Sequence, residues 1–191
     1  MAKPTALFFT TDADANRLLA KEPLAVLVGM LLDQQITMEM AFRGPWLLRE
    51  RLGGRLDAAE IAAMDPVEFE AVFRAKPALH RFPGSMAKRT QDLCRYLVEH
   101  HGGKAENIWK KVATGDELLA RVRALPGFGN DKARIFVGVL GKRLGVQPAG
   151  WELVAADWAS IADVDSYERI SEIRDAKRAA KAKKIASPKG A

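Results

Sequence analysis

Apolar residues along the chain recur at spacings of three and four from end to end, and two-residue alternation is nearly absent. That period belongs to helices packed on one face, so the pattern predicts an all-α protein. The expected elements are Ala13–Glu22, a nearly all-apolar Leu24–Ile36 entered through Pro23, and Met38–Leu52, kinked or split at Gly44-Pro45. Asp57 and Asp65-Pro66 are N-cap signals for short helices over Ala58–Met64 and Pro66–Arg74. A Pro83-Gly84-Ser85 turn precedes Met86–His101, which stops at Gly102-Gly103. Helices over Asp116–Ala124 and Asn130–Leu144 follow, then a loop over Val146–Ala162, and Asp165 opens the last helix.

Composition narrows the class. The longest uncharged apolar stretch, Pro23–Leu32, has ten residues and ends at Asp33, whereas a bilayer span needs about 20. Ala6–Phe9 is too short for a secretory core, so the expected location is the cytosol and no membrane contact is expected. A single cysteine, Cys94, excludes a disulfide scaffold and an iron–sulfur cluster. His80, His100 and His101 show no metal-binding spacing. The net charge is +6, and between Arg174 and Ala191 seven basic residues face one acid, Asp175, so the excess is a property of the tail. Such a tail suits a polyanion or is simply a solvated helix end.

Leu125-Pro126-Gly127-Phe128-Gly129 carries the most chemistry. One helix ends there, the glycines turn the chain, and a second helix starts at once. The amides from Gly129 to Lys132 are then the free N–H groups of a helix start, carrying the positive end of its dipole. With Asn130, Asp131 and Lys132 at its rim and Arg134 nearby, this hairpin suits a DNA backbone held without base reading. An ordinary helix–helix turn is the alternative for the hairpin taken alone.

Three blocks occur in order: Leu31-Leu32-Asp33-Gln34-Gln35-Ile36-Thr37, Phe82-Pro83-Gly84-Ser85-Met86-Ala87-Lys88-Arg89, and Leu125 to Arg134. Together they resemble the helix-hairpin-helix DNA glycosylases, the superfamily of endonuclease III and the mismatch adenine and 3-methyladenine glycosylases. The resemblance implies a two-lobed all-α unit over residues 1–176 with DNA in the cleft. A central lobe would span about 24–130, the second would come from the N- and C-terminal segments, and 177–191 would form the basic tail. It also implies that Gln35, and less strongly Gln34, faces an extruded base; Lys88 and Arg89 read as a phosphate clamp or an exposed helix face, and Trp151 as a base-stacking residue or core. A monovalent cation, Na+ or K+, would sit on the carbonyls of Arg123, Leu125 and Phe128. No other cofactor is expected.

Two departures shape the expected chemistry. Where bifunctional members hold a Schiff-base lysine, two residues after the last hairpin glycine, this chain has Asp131, and Lys132 lies about 100° further round the helix. Lyase activity is therefore not expected. The family's catalytic aspartate has two candidates: the Val164-Asp165 motif selects Asp165, and spacing from the hairpin selects Glu152. Asp165 with Glu168 also reads as a capping box. Asp33 and Glu39 read as carboxylates at a cleft rim. The expected function is a monomeric, monofunctional glycosylase that flips a damaged base out of duplex DNA and hydrolyses its glycosidic bond. The alternative is a non-catalytic protein that binds bent or damaged DNA.

Overall fold

In a computed structural model, residues 4–173 together with Asp175 and Ala179 are described, and every regular element among them is helical. Among the described residues the bounded α-helices are α1 Ala13–Lys21, α2 Pro23–Leu32, α3 Met38–Arg51, α4 Ala58–Ala63, α5 Pro66–Arg74, α6 Pro83–His101, α7 Gly115–Arg123, α8 Asn130–Leu144 and α9 Trp151–Val154, and helical turns also cover 167–173. Short 3-10 turns cover Ala105–Ile108 and Ile161–Asp163. The only extended pairing among the described residues is an isolated parallel bridge between Thr114 and Ala149. No helix among them is long and apolar enough to cross a membrane. Of the expected basic tail, 177–191, all but Ala179 lies outside the described residues.

Local chemistry explains most boundaries. Asp12, Asp57 and Asp65 each accept two backbone N–H bonds at the starts of α1, α4 and α5, and Thr37 and Thr114 cap α3 and α7. Besides one-residue shifts at helix ends, the expected loop over Val146–Ala162 holds the short helix α9 and the start of the Ile161–Asp163 turn, and further boundaries differ from expectation. Pro83 occupies the first position of α6, so the expected Pro83-Gly84-Ser85 turn is the first helical turn itself. Pro45 lies inside an unbroken α3. The expected helix through Ile36 stops at Leu32, where the C-cap Asp33 leaves helical backbone at ψ 71°, and Gln35 beyond it takes a left-handed φ of 58°.

Helix α2 is the axis of the core, with every residue from Leu24 to Leu32 buried. It meets α3 closely because glycines remove the obstacle on both sides: a Cβ on Gly29 would lie 2.6 Å from the Phe42 ring, and one on Gly44 2.6 Å from Leu32 Cδ1. Helices α4 and α5 pack on α6, and α7, α9 and the Ile161–Asp163 turn pack on α8. Helix α8 runs antiparallel to α2. Its start meets the end of α2 through Lys132 and Met30, while Leu144 and Pro23 line one cleft at the opposite end. This antiparallel pairing puts the hairpin against the Leu31–Gln35 segment.

Candidate nucleic-acid interface at the hairpin

The hairpin forms as its glycines predict. Gly127 has φ +84°, the left-handed region, and the Phe128 N–H closes the turn onto the Leu125 carbonyl at 3.1 Å. A Cβ on Gly127 would stand 2.5 Å from Leu31 Cδ1, so the turn sits directly on the end of α2. Gly129 is the N-cap of α8 and supplies no side-chain cap, which leaves the amides of Asn130, Asp131 and Lys132 outside the intrahelical ladder. Gly127, Gly129, Asn130 and Asp131 are exposed, so the helix start faces outward.

Lys132 does not face outward with them. Its Nζ donates to the carbonyls of Met30 at 2.6 Å and Leu31 at 3.0 Å and lies 5.9 Å from the Phe128 ring centroid. It thus caps the end of α2, where carbonyls lack helical partners. Burial pushes its ammonium down to about 8; the Asp33 carboxylate works against that and Arg89 adds to it.

Gln34 organises the other side. Its Nε2 donates to the Leu31 carbonyl at 2.8 Å, and its Oε1 accepts from Arg89 at 2.9 Å. Its backbone carbonyl accepts from His80 Nε2 at 2.9 Å, while His80 Nδ1 accepts the Phe82 N–H at 3.0 Å. Because Nδ1 is an acceptor, the proton of this buried imidazole sits on Nε2 and the ring is neutral. Burial lowers its pKa, as do the charges of Arg81 and Lys132, against the raising effect of its bonds to Gln34 and Leu32. His80 therefore ties the Phe82–Arg89 block to the Leu31–Gln35 block, a role its lone position in the sequence did not signal. The three blocks meet in one hydrogen-bonded cluster of Lys132, Gln34, His80 and Arg89, with the Asp33 carboxylate near enough to act on Lys132.

Other expected site residues lie elsewhere or are otherwise engaged. Lys88 pairs with Asp92 at 2.7 Å and lines a depression with Glu70 and Arg95, diverging from Arg89 next to it. Gln35 is exposed on its left-handed backbone. Trp151, read as a base-stacking residue, is buried against α8; a Cβ on Gly141 would stand 2.2 Å from its ring. Glu152 is exposed on the same short helix, α9.

Asp165 is exposed beside Lys142, Arg143 and the Pro4–Phe8 segment. Lys142 is twelve residues into α8 from Asn130, about 18 Å from the hairpin at 1.5 Å per residue. The described turns of the last helix begin at residue 167, and Glu168 bonds the Ser166 hydroxyl rather than boxing with Asp165. A capping box does exist nearby, between Ser160 and Asp163. Burial would raise Asp163, but its bonds to Lys142 and the Ser160 amide outweigh that and hold it below the usual carboxylate range.

The chain instead returns to the hairpin end of α8 through residues 155–158. The Ala156 N–H donates to the Arg134 carbonyl at 3.1 Å. The Arg134 guanidinium donates to the carbonyls of Val154 at 3.3 Å and Ala155 at 2.9 Å, pairs with Asp157 at 3.2 Å, and lies 4.8 Å from the Trp158 ring centroid. Asp157 and Trp158 were not singled out from the sequence. Nothing local marks them, because a long-range backbone pairing brings them there.

Among the described residues no group of three His, Cys, Asp or Glu could hold a metal ion. Burial raises the Cys94 thiol to about 12, so it is no thiolate ligand. At the hairpin the oxygen donors are neutral carbonyls of Arg123, Leu125 and Phe128, and that of Leu125 retains one lone pair beyond its bond to Phe128. Neutral hard oxygens fit an alkali cation in kind and would not retain a transition metal. Compared with protein-family models, curated proteins and solved structures, the chain matches none.

Proposed function

We propose that the protein is a monofunctional DNA glycosylase of the two-lobed helix-hairpin-helix kind, acting as a monomer on a damaged base in double-stranded DNA. The observation that carries this reading is the meeting of three separate sequence blocks at one outward-facing helix start. Lys132 joins the hairpin to Leu31, Arg89 joins α6 to Gln34, and His80 joins the Phe82 loop to Gln34. The exposed amides of Asn130 and Asp131 hold a phosphate, and exposed Arg123 supplies charge beside them. The sugar cation formed as the base leaves calls for an ionised carboxylate. Asp33, whose charge reaches Lys132, takes that role in preference to Asp165, which stands at the far end of α8.

The test is release of free base by purified protein from duplexes carrying uracil, hypoxanthine, an alkylated purine or 8-oxoguanine. At least one lesion is released, the abasic strand stays intact until alkali or heat, and borohydride traps no protein–DNA adduct, because Asp131 forms no imine. Asp33→Asn keeps DNA binding and loses base release, while Asp165→Asn keeps both. The reverse result would return catalysis to Asp165.

A second reading is favoured by the distance between Asp165 and the hairpin. A non-catalytic protein on this scaffold would bind bent or damaged duplex and release no base from any of the four substrates.

A further inference from the structure

Arg134 and Trp158 form a cluster that the proposed reaction does not use. The guanidinium directs Nε and Nη2 to Val154, Ala155 and Asp157, and the Asp157 carboxylate offsets its charge. Its flat face lies on the Trp158 indole. Trp158 is 38% exposed, and Asp157 and Ala159 beside it are exposed as well. With one indole face taken by Arg134, the other face and the ring edges carry that exposure. An indole left in water loses the burial that usually justifies a tryptophan. The segment that carries it is also tied down, since Arg134 bonds the carbonyls of Val154 and Ala155 and the Ala156 N–H is pinned to α8. A ring on such a segment loses less conformational freedom when something stacks on it.

Its position identifies what that is. Arg134 lies four residues into α8 from Asn130, on the same helix face, about 6 Å along the axis. Arg134, and with it the indole, therefore stands about one helical turn from the exposed amides, within the reach of one nucleotide. The Asp157 carboxylate, next to the indole in sequence and paired with Arg134, disfavours a second phosphate there and leaves a neutral planar partner.

We propose that Trp158, held flat by Arg134, is a stacking platform for an unpaired nucleobase of the strand whose phosphate lies on the α8 amides. This rests on the reading of the hairpin as a DNA-backbone site. A base in an intact stack offers no free face, so the platform discriminates duplexes with an unpaired nucleotide from fully paired ones.

The experiment measures affinities of the full chain for two labelled duplexes, one fully paired and one with a single-nucleotide bulge. Base–aromatic stacking is worth about 1–3 kcal/mol, so Trp158→Ala weakens binding of the bulged duplex by about 5- to 150-fold and leaves the paired duplex unchanged. Trp158→Phe retains most of the preference. As a readout on folded wild-type protein, the emission assigned to Trp158 by subtracting the Trp158→Phe spectrum is quenched by the bulged duplex and not by the paired one. Equal binding of both duplexes by Trp158→Ala and wild type would overturn the platform while leaving the hairpin reading intact. An equal loss on both duplexes, with no selective quenching, would overturn it in favour of a backbone or scaffold contact. A wild-type protein that binds neither duplex at low salt would remove the hairpin reading, and the platform with it.

Discussion

The two ends of α8 use the same parts to different ends. At its C-terminal end Lys142 pairs with Asp163 at 2.6 Å and Arg143 donates to the Ala162 carbonyl at 2.9 Å, fastening the chain that returns past Val164. At its N-terminal end Lys132 and Arg134 also fasten neighbouring chain, yet the helix start between them keeps its amides exposed. A basic residue next to a helix end is therefore not by itself a ligand contact. What separates the hairpin end from the other is the set of backbone donors left over after the cations are engaged.

The largest effects come from the glycine at each end. Gly141→Ala sets a Cβ 2.2 Å from the Trp151 ring, with no flexible chain end to give way. It should cost about 1–3 kcal/mol of stability, read from the urea midpoint, with DNA affinity of the folded fraction unchanged. Gly127→Ala carries a left-handed φ penalty of about 1–2 kcal/mol and meets only the movable tip of Leu31. Its stability loss should be similar or smaller, but it should lose DNA affinity as well. Loss of affinity in Gly141→Ala at matched folded fraction would erase the distinction between the two ends.

The lysines sharpen the comparison. Lys132→Met takes the side-chain donor from the Met30 carbonyl and one of the two from Leu31, which keeps Gln34, and should cost about 1–3 kcal/mol. Lys142→Met breaks a partly exposed pair and should cost about 1 kcal/mol or less. Denaturant melts of the two variants in the same buffer measure both.

How much of this was legible in the sequence depends on how local the cause is. The bounds of α8 and α5 follow from Gly129, Gly145 and Asp65-Pro66 and agree with the structure. The hairpin did too, because glycine and proline act within a few residues. Trp151 and Trp158 were not distinguishable: Gly141 opposite one and Arg134 opposite the other decide which is buried. Lys132 and Arg134 looked like free charges because their partners, helix-end carbonyls of α2 and α9, are named by the fold alone. Asp165 was chosen by a two-residue motif, and only the return of 155–158 to Arg134 shows that the chain has already passed the hairpin before Asp165 is reached.

Titration gives the hairpin end a signature with two signs. The Lys132 pKa is lowered from 10.5 to about 8, so between those values the unfolded chain binds more protons and stability rises with pH. Below pH 8 both states are charged and the full burial penalty of Lys132 remains. His80 is also lowered, from 6.5, so stability falls as pH drops below 6.5 toward its folded value. Urea midpoints against pH should show both slopes in wild type, the upper one absent in Lys132→Met and the lower one absent in His80→Gln. Persistence of the upper slope in Lys132→Met would assign it to another group.

The smallest effect on stability isolates the amides themselves. Asn130 is the first residue of α8, where the N–H has no intrahelical partner and proline is well tolerated. Gly129 before it already has φ −70° and ψ 173°, the extended backbone that a following proline requires. Asn130→Pro therefore removes one outward N–H while leaving the fold and the net charge of the protein as they were. Stability should stay within about 0.5 kcal/mol of wild type, as for surface substitutions generally. A hydrogen bond to a charged phosphate contributes about 1.5–3 kcal/mol, so duplex affinity should fall by about one to two orders of magnitude. The dependence of affinity on salt should keep its slope, because no cation has been removed and the same counterions are released. Arg123→Ala supplies the converse, a flatter slope with every amide in place. If Asn130→Pro binds duplex as wild type does, the exposed helix start is not where the backbone sits, and the two ends of α8 differ only in packing.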